Sequence, residues 1–229
     1  MWQPDLDRHG FAFVPAAQLR RAIGPTPGWA AFAQSWDDLI LDAHMADGGR
    51  YRKRRHAVLH ASDQGFVRQP HQPHFQARYD NPLNGGVDRW FQPMPDSAAN
   101  SPALASVLAF CLATFGARSP GVVTWRVELH PFRIEARLGA PGLPTPEGVH
   151  RDGVDWVLVL LIARRNVERG ETRVTDARGR ALGSFTLTQP FDAVLVDDRR
   201  VRHGVTAITA IDPEQPAYRD VLVVTFAAR

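Results

Sequence analysis

Beyond Gly121 the chain offers no convincing long helix, only short apolar stretches separated by turn signals, and this pattern restricts the fold more than any other. Residues 122–129, 132–136, 155–163, 171–176, 183–188, 192–196, 205–208 and 220–227 read as strands. Between them lie Ala177-Arg178-Gly179, Gln189-Pro190 and Ile211-Asp212-Pro213, the residue types that turns require. Many short strands at regular spacing predict a sandwich or jelly roll. The expected class is α+β: a double-stranded β-helix with supporting N-terminal helices. We expect a single domain over 1–229, with 1–120 mainly helical and loop support and 121–229 the jelly-roll core.

The N-terminal half has helical and loop character. Residues 11–14 read as an edge strand. Apolar positions from Trp29 to Ala43 at helical spacing predict an amphipathic helix over 29–45. Ser101-Pro102 starts a second helix, with a capping hydroxyl followed by a proline in the first turn, and Gly116 closes it. The segment 66–95 is rich in Pro, Gln, His, Asn and Gly and is too long for a simple connector, so it should cover something. His71 and His74 within it read as surface or packing residues.

A hydrophobic content of 44% over 229 residues suits a chain that buries a sizeable core. The one cysteine, Cys111, excludes a disulfide framework and favours a reducing compartment. The first residues carry acids and no apolar h-region, so no signal peptide is expected, and the longest apolar run, 157–163, is strand-sized. A cytoplasmic protein is the expectation. Lys53 is the only lysine among 27 basic residues. The run from Arg50 to His56 leaves three readings open: a nucleic-acid contact, a solvated face, or carboxylate capture near an active site.

The chemistry centres on Glu147-Gly148-Val149-His150-Arg151-Asp152-Gly153. In extended backbone His150 and Asp152 point to one side. An imidazole and a carboxylate there supply two ligands of a facial metal site, and His203, at the start of a late strand, is the candidate third. Asp155 is disfavoured because its spacing from His150 puts it on the opposite side. Arg219 opens the last strand, where a guanidinium could grip a carboxylate in a bidentate pair.

Pro144-Thr145-Pro146-Glu147-Gly148-Val149-His150-Arg151-Asp152-Gly153 resembles the signature of the bacterial 2-oxoglutarate/Fe(II) dioxygenases that include the L-isoleucine dioxygenases and the biofilm-associated BsmA-like proteins. The resemblance extends to Gly170-Glu171, to the run from Val196 to Thr206, to Arg219-Asp220-Val221-Leu222 and, upstream, to Asn81-Pro82-Leu83-Asn84-Gly85-Gly86. Arg169 departs from it, standing where the family tends to have a second glycine. The resemblance implies Fe(II) held by His150, Asp152 and His203, with 2-oxoglutarate anchored by Arg219. It also implies O2-dependent hydroxylation of a free, aliphatic L-amino acid; from the charge pattern and apolar runs, neither nucleic acid nor membrane is expected as a partner. Arg52, Arg54 and Arg133 are candidates for the substrate carboxylate and Glu147 for its ammonium. Asp198 is a candidate to orient the His203 ring, or else to stabilise a turn. Two alternatives stay open on the residues alone: a cupin-like metal enzyme without 2-oxoglutarate, and a nucleic-acid or sensory binding protein using residues 50–55.

Overall fold

The structure, a computed structural model, describes residues 2–229. Three helices and a strand open the chain: α1 (Gln3–His9), β1 (Phe11–Val14), α2 (Ala16–Ile23) and α3 (Trp29–Gln34). Short strands follow, β2 (Ile40–Leu41), β3 (Arg52–Arg54), β4 (Ala57–Ser62) and β5 (Gly65–Arg68), then the helices α4 (Asp96–Ala99) and α5 (Pro102–Gly116). The rest is strand: β6 (Trp125–Ala136), β7 (Trp156–Arg165), β8 (Val167–Arg169), β9 (Glu171–Thr175), β10 (Ala181–Thr186), β11 (Ala193–Asp197), β12 (Arg202–Val205), β13 (Ile208–Ala210) and β14 (Ala217–Ala228).

A nine-stranded sheet runs β1-β11-β7-β14-β6-β3-β2, with the β4–β5 hairpin joined to β6. Three-stranded (β10-β9-β12) and two-stranded (β13-β8) sheets complete the jelly roll. The long central strand β7 is apolar at nearly every position because it is buried on both faces. Leu158, Leu160 and Ile162 belong to the core packed under the helices. Val157, Val159 and Leu161 belong to the core inside the roll, with Val174, Val194 and Val221. A strand covered on both sides needs no polar alternation.

The expected helix over 29–45 is shorter than its apolar spacing suggests. It stops at Gln34, passes through a 3-10 turn at Ser35–Asp38, and turns extended at Leu39. Ile40 and Leu41 then pair with Arg54 and Lys53, so sheet pairing overrides helical periodicity. The two strands expected at 122–129 and 132–136 are one. β6 runs through Pro131 because the strand changes neighbour there, from β4 at residues 125–129 to β3 at 132–134. The missing proline N–H therefore falls between two ladders. The single strand expected at 205–208 is instead two, β12 on β9 and β13 on β8. The N-terminal half contributes five strands to the main sheet as well as helices. The α5 cap forms as expected, with Ser101 Oγ accepting from Leu104 N–H at 3.2 Å.

Arg169, the departure from the family pattern, has φ +61°, next to Gly170 at φ +77°. A residue with a Cβ is strained there by about 1–2 kcal/mol, partly offset by the extra freedom glycine has when unfolded. Arg169→Gly is expected to raise unfolding stability by about 0.5–1 kcal/mol in urea titration.

Candidate active site

His150 and His203 face each other across an antiparallel bridge. Each donates its backbone N–H to the other's carbonyl at 2.9 Å. That reciprocal pairing sets two imidazoles side by side, with ring centroids 4.9 Å apart. Asp152 completes the group: its oxygens lie 3.7 Å from His150 Nε2 and 3.6 Å from His203 Nε2. One ligand atom from each of the three falls within 4.8 Å of the others, close enough to share an ion. His150 Nδ1 donates to Gly148 O at 3.0 Å, which leaves the Nε2 lone pair for a metal. Asp152 Oδ2 is buried with no hydrogen-bond partner among the described residues, as a ligand awaiting a cation would be.

The electrostatics agree. Burial alone would raise the Asp152 carboxyl, but the two imidazoles outweigh it and hold it near about 2. Burial opposes protonation of His150, yet Asp152 outweighs that and keeps the ring up at about 9. Burial dominates at His203, which drops to about 4. The triad therefore favours positive charge between its members, and two imidazoles with one carboxylate suit a divalent transition ion with open positions.

Asp198 does not reach the His203 ring. Its carboxylate accepts the backbone N–H groups of Asp152 (3.0 Å), Gly153 (2.8 Å) and Val154 (3.2 Å), so it acts on the turn that carries Asp152. Burial and the Asp152 charge push Asp198 up to about 7. Gly153 is obligatory in that turn, with φ +78° and the Asp80 carboxylate packed against the space a Cβ would fill. Asp155 points away, accepting from Ala228 N–H.

The triad opens into a cavity of about 350 Å³, a size typical of small-molecule sites. Arg219 lines it from β14, 2% exposed, with Nε and one terminal nitrogen unpartnered among the described residues. Burial, with Arg164 adding to it, pulls this guanidinium down to about 10. Such a cation calls for a carboxylate ligand. Arg52, Arg54 and Glu147 also line the cavity. Arg52 is engaged by Asp42, with Nε donating at 2.8 Å. Arg133 does not line it. It forks onto Asp220 at 2.7 and 2.8 Å on the other face of β6, where its odd-numbered neighbours also point, and this removes it from the substrate candidates. The basic run turns inward: Arg52 and Arg54 are buried, Lys53 pairs with Glu135, and Arg55 donates to the carbonyls of Asp38 and Pro93. Those four residues are engaged within the fold, while Arg50 at the start of the run is exposed.

Sequence reasoning missed several cavity residues. The segment 69–95 lies over the cavity, braced where His74 and Arg89 exchange backbone hydrogen bonds at 3.0 Å. It delivers Arg89, whose guanidinium donates to Gln76 Oε1 at 2.8 Å, and Gln76, whose amide reaches Asp152 Oδ1 at 3.3 Å. Nothing local in so irregular a stretch signals either residue. A second cluster, His56, His74, Glu128 and His130, was also missed. Its signal is the polar alternation Arg126, Glu128, His130 along β6, of which the expected strand 122–129 holds only the first two.

The profile of the 2OG-Fe dioxygenase family matches residues 33–225. The chain belongs to that family. As a member it is an oxygenase that works with Fe(II) and 2-oxoglutarate, and the donor set and the buried Arg219 fit both. This dioxygenase is 25% identical over 233 residues to the 3(1)-hydroxy-L-isoleucine 4-dioxygenase of Pantoea ananatis, covering 96% of this chain and 93% of that one. It is 24% identical over 183 residues to the L-isoleucine-4-hydroxylase of Bacillus thuringiensis, covering 78% and 75%. A crystal structure of a BsmA homologue from Methylobium petroleophilum superposes with a TM-score of 0.90 at 38% identity, over 99% of this chain and 91% of that one. The IDO protein of Bacillus thuringiensis shares the fold, with a TM-score of 0.79 at 17% identity over 99% and 94%. No helix of the described chain is long and apolar enough to cross a membrane.

Two measurements follow from this geometry. Asp198→Ala frees the turn that carries Asp152 and is expected to weaken Co(II) binding about 10–100-fold, as read from the visible spectrum. Burial also holds the imidazoles of His56, His74 and His130 below their ordinary range, so all three are neutral in the fold. In the unfolded chain they take up protons below about pH 6.5, so stability present above that pH is lost as pH falls. The Tm should drop between pH 7.5 and 5.5, and drop less in His56→Gln.

Proposed function

We propose that this dioxygenase hydroxylates a side-chain carbon of a free L-amino acid with a small aliphatic skeleton. His150, Asp152 and His203 hold the iron, and Arg219 takes the distal carboxylate of 2-oxoglutarate. The observation that carries the substrate reading is a pair of opposite buried charges beside the triad. On one side stand Arg54 and Arg89, each with an Nε lacking a partner among the described residues. On the other stands Glu147, with one oxygen 3.7 Å from His150 Nε2 and the second unpartnered. A zwitterion satisfies both, its carboxylate on the guanidiniums and its ammonium on Glu147. Phe132, Val154, Val159, Val221 and Val223 line the same cavity and suit an aliphatic skeleton. The relatives named for isoleucine and its hydroxylated form support the same class.

When bound, iron and 2-oxoglutarate supply the oxidation, in which O2, 2-oxoglutarate and substrate C–H become succinate, CO2 and substrate C–OH. The chain's own residues do the rest. Arg219 fixes the co-substrate end, Arg54, Arg89 and Glu147 fix the substrate backbone, and the 69–95 segment excludes water.

The test is succinate formation from 2-oxoglutarate with Fe(II), screened across the standard amino acids. At least one should raise the rate well above the uncoupled background, and indifference to every amino acid would remove the substrate class. Arg219→Leu should raise the KM for 2-oxoglutarate about 10–100-fold while leaving the KM for substrate unchanged.

A further inference from the structure

One group of cavity residues, next to Arg54, is not accounted for by a zwitterion's backbone. β6 turns Arg126, Glu128 and His130 toward the cavity, and His74 meets them from the covering segment. Glu128 Oε2 accepts from His56 Nε2 at 2.7 Å and from His74 Nδ1 at 2.8 Å, and Oε1 accepts from Arg126 Nε at 2.9 Å. Arg54 donates to His130 Nδ1 at 2.6 Å. Because guanidinium is only a donor, His130 must carry its proton on Nε2, which lies 3.8 Å from Glu128 Oε2. Three nitrogens thus donate to one carboxylate, and a fourth N–H lies near it.

The ligand atoms of His56, His74, Glu128 and His130 lie within 4.8 Å of one another, a spacing that would also suit a metal. The protons argue otherwise. His130 has no lone pair to offer while Arg54 occupies Nδ1, and Arg54 and Arg126 already set two positive charges around Glu128. The arrangement instead fixes a tautomer. With Nδ1–H committed to Glu128, His74 keeps its lone pair on Nε2. That nitrogen has no hydrogen-bond partner among the described residues, and the ring lines the cavity.

We infer that His74 accepts a hydrogen bond from the substrate's side chain, so that the substrate is an amino acid whose aliphatic skeleton carries a hydroxyl or carboxamide donor. This rests on the amino acid reading above. Glu147, whose Oε2 has no partner among the described residues, takes the ammonium. His74, a neutral acceptor on the same cavity wall as Arg54 and Arg89, matches a neutral donor. Glu128 is then a positioning residue that acts through His74. A site built to hydrogen-bond a hydroxyl discriminates strongly against the analogue lacking it, because its own polar group is left unpaired.

The test compares near-isosteric amino acids: threonine with valine, and asparagine with leucine. Binding is measured by calorimetry on protein holding 2-oxoglutarate and Zn(II) in place of Fe(II), and turnover by succinate formation with Fe(II). One donor-bearing member should bind and turn over about 100-fold better than its aliphatic counterpart. His74→Phe should bring that ratio to within a few-fold while leaving the KM for 2-oxoglutarate unchanged. His74→Gln, which keeps an acceptor, should retain part of it. Preference for valine or leucine in the wild-type protein, or an unchanged ratio in His74→Phe, overturns the inference and leaves the amino acid reading standing. Failure of every amino acid to bind or to stimulate succinate formation overturns both.

Discussion

The reciprocal backbone bonds between His150 and His203 are the contact on which the centre depends. The two residues are far apart in sequence, and while His203 lies on β12, His150 belongs to no strand. Exchanging N–H and carbonyl groups with one another fixes their separation and puts both rings on one side. Asp152 is then brought in by a separate device, the Asp198 carboxylate gathering three successive amides. The metal geometry is therefore written in main-chain hydrogen bonds, and the side chains need only supply the right atoms.

The same division explains what could be read from the sequence. The triad was legible because its members sit at strand ends and in a short extended motif, where spacing translates directly into direction. The eight-strand estimate of the C-terminal half captured the architecture for a similar reason, since alternation and turn chemistry are local. What escaped was set by tertiary pairing. The helix over 29–45 is cut short by a sheet partner that no periodicity announces. The gap left between the expected strands, at 130–131, falls where β6 only changes neighbour. Arg133 was grouped with Arg52 and Arg54, but its parity along β6 turns it to the opposite face, onto Asp220. Arg89 and Gln76 come from a segment with no period at all, and only the folded chain brings them to the cavity.

The cavity is governed by charge more than by shape. Arg54, Arg89 and Arg219 are buried, and the acids nearest them do not neutralise all three. Burying a cation without its partner costs free energy, so the fold alone does not explain their presence. The dicarboxylate 2-oxoglutarate suits this surplus of buried cations. The Glu128 cluster shows the opposite solution, a carboxylate so fully supplied with donors that it is closed to further ligands.

Gln76 gives the covering segment a second consequence. One side chain touches a candidate ligand carboxylate, while the same segment, through Arg89 and His74, lines the cavity. Lifting that cover would strip a hydrogen bond from Asp152 at the moment the cavity opens to water. Access to the cavity and the hydrogen bonding of Asp152 are thus tied to one and the same stretch of chain.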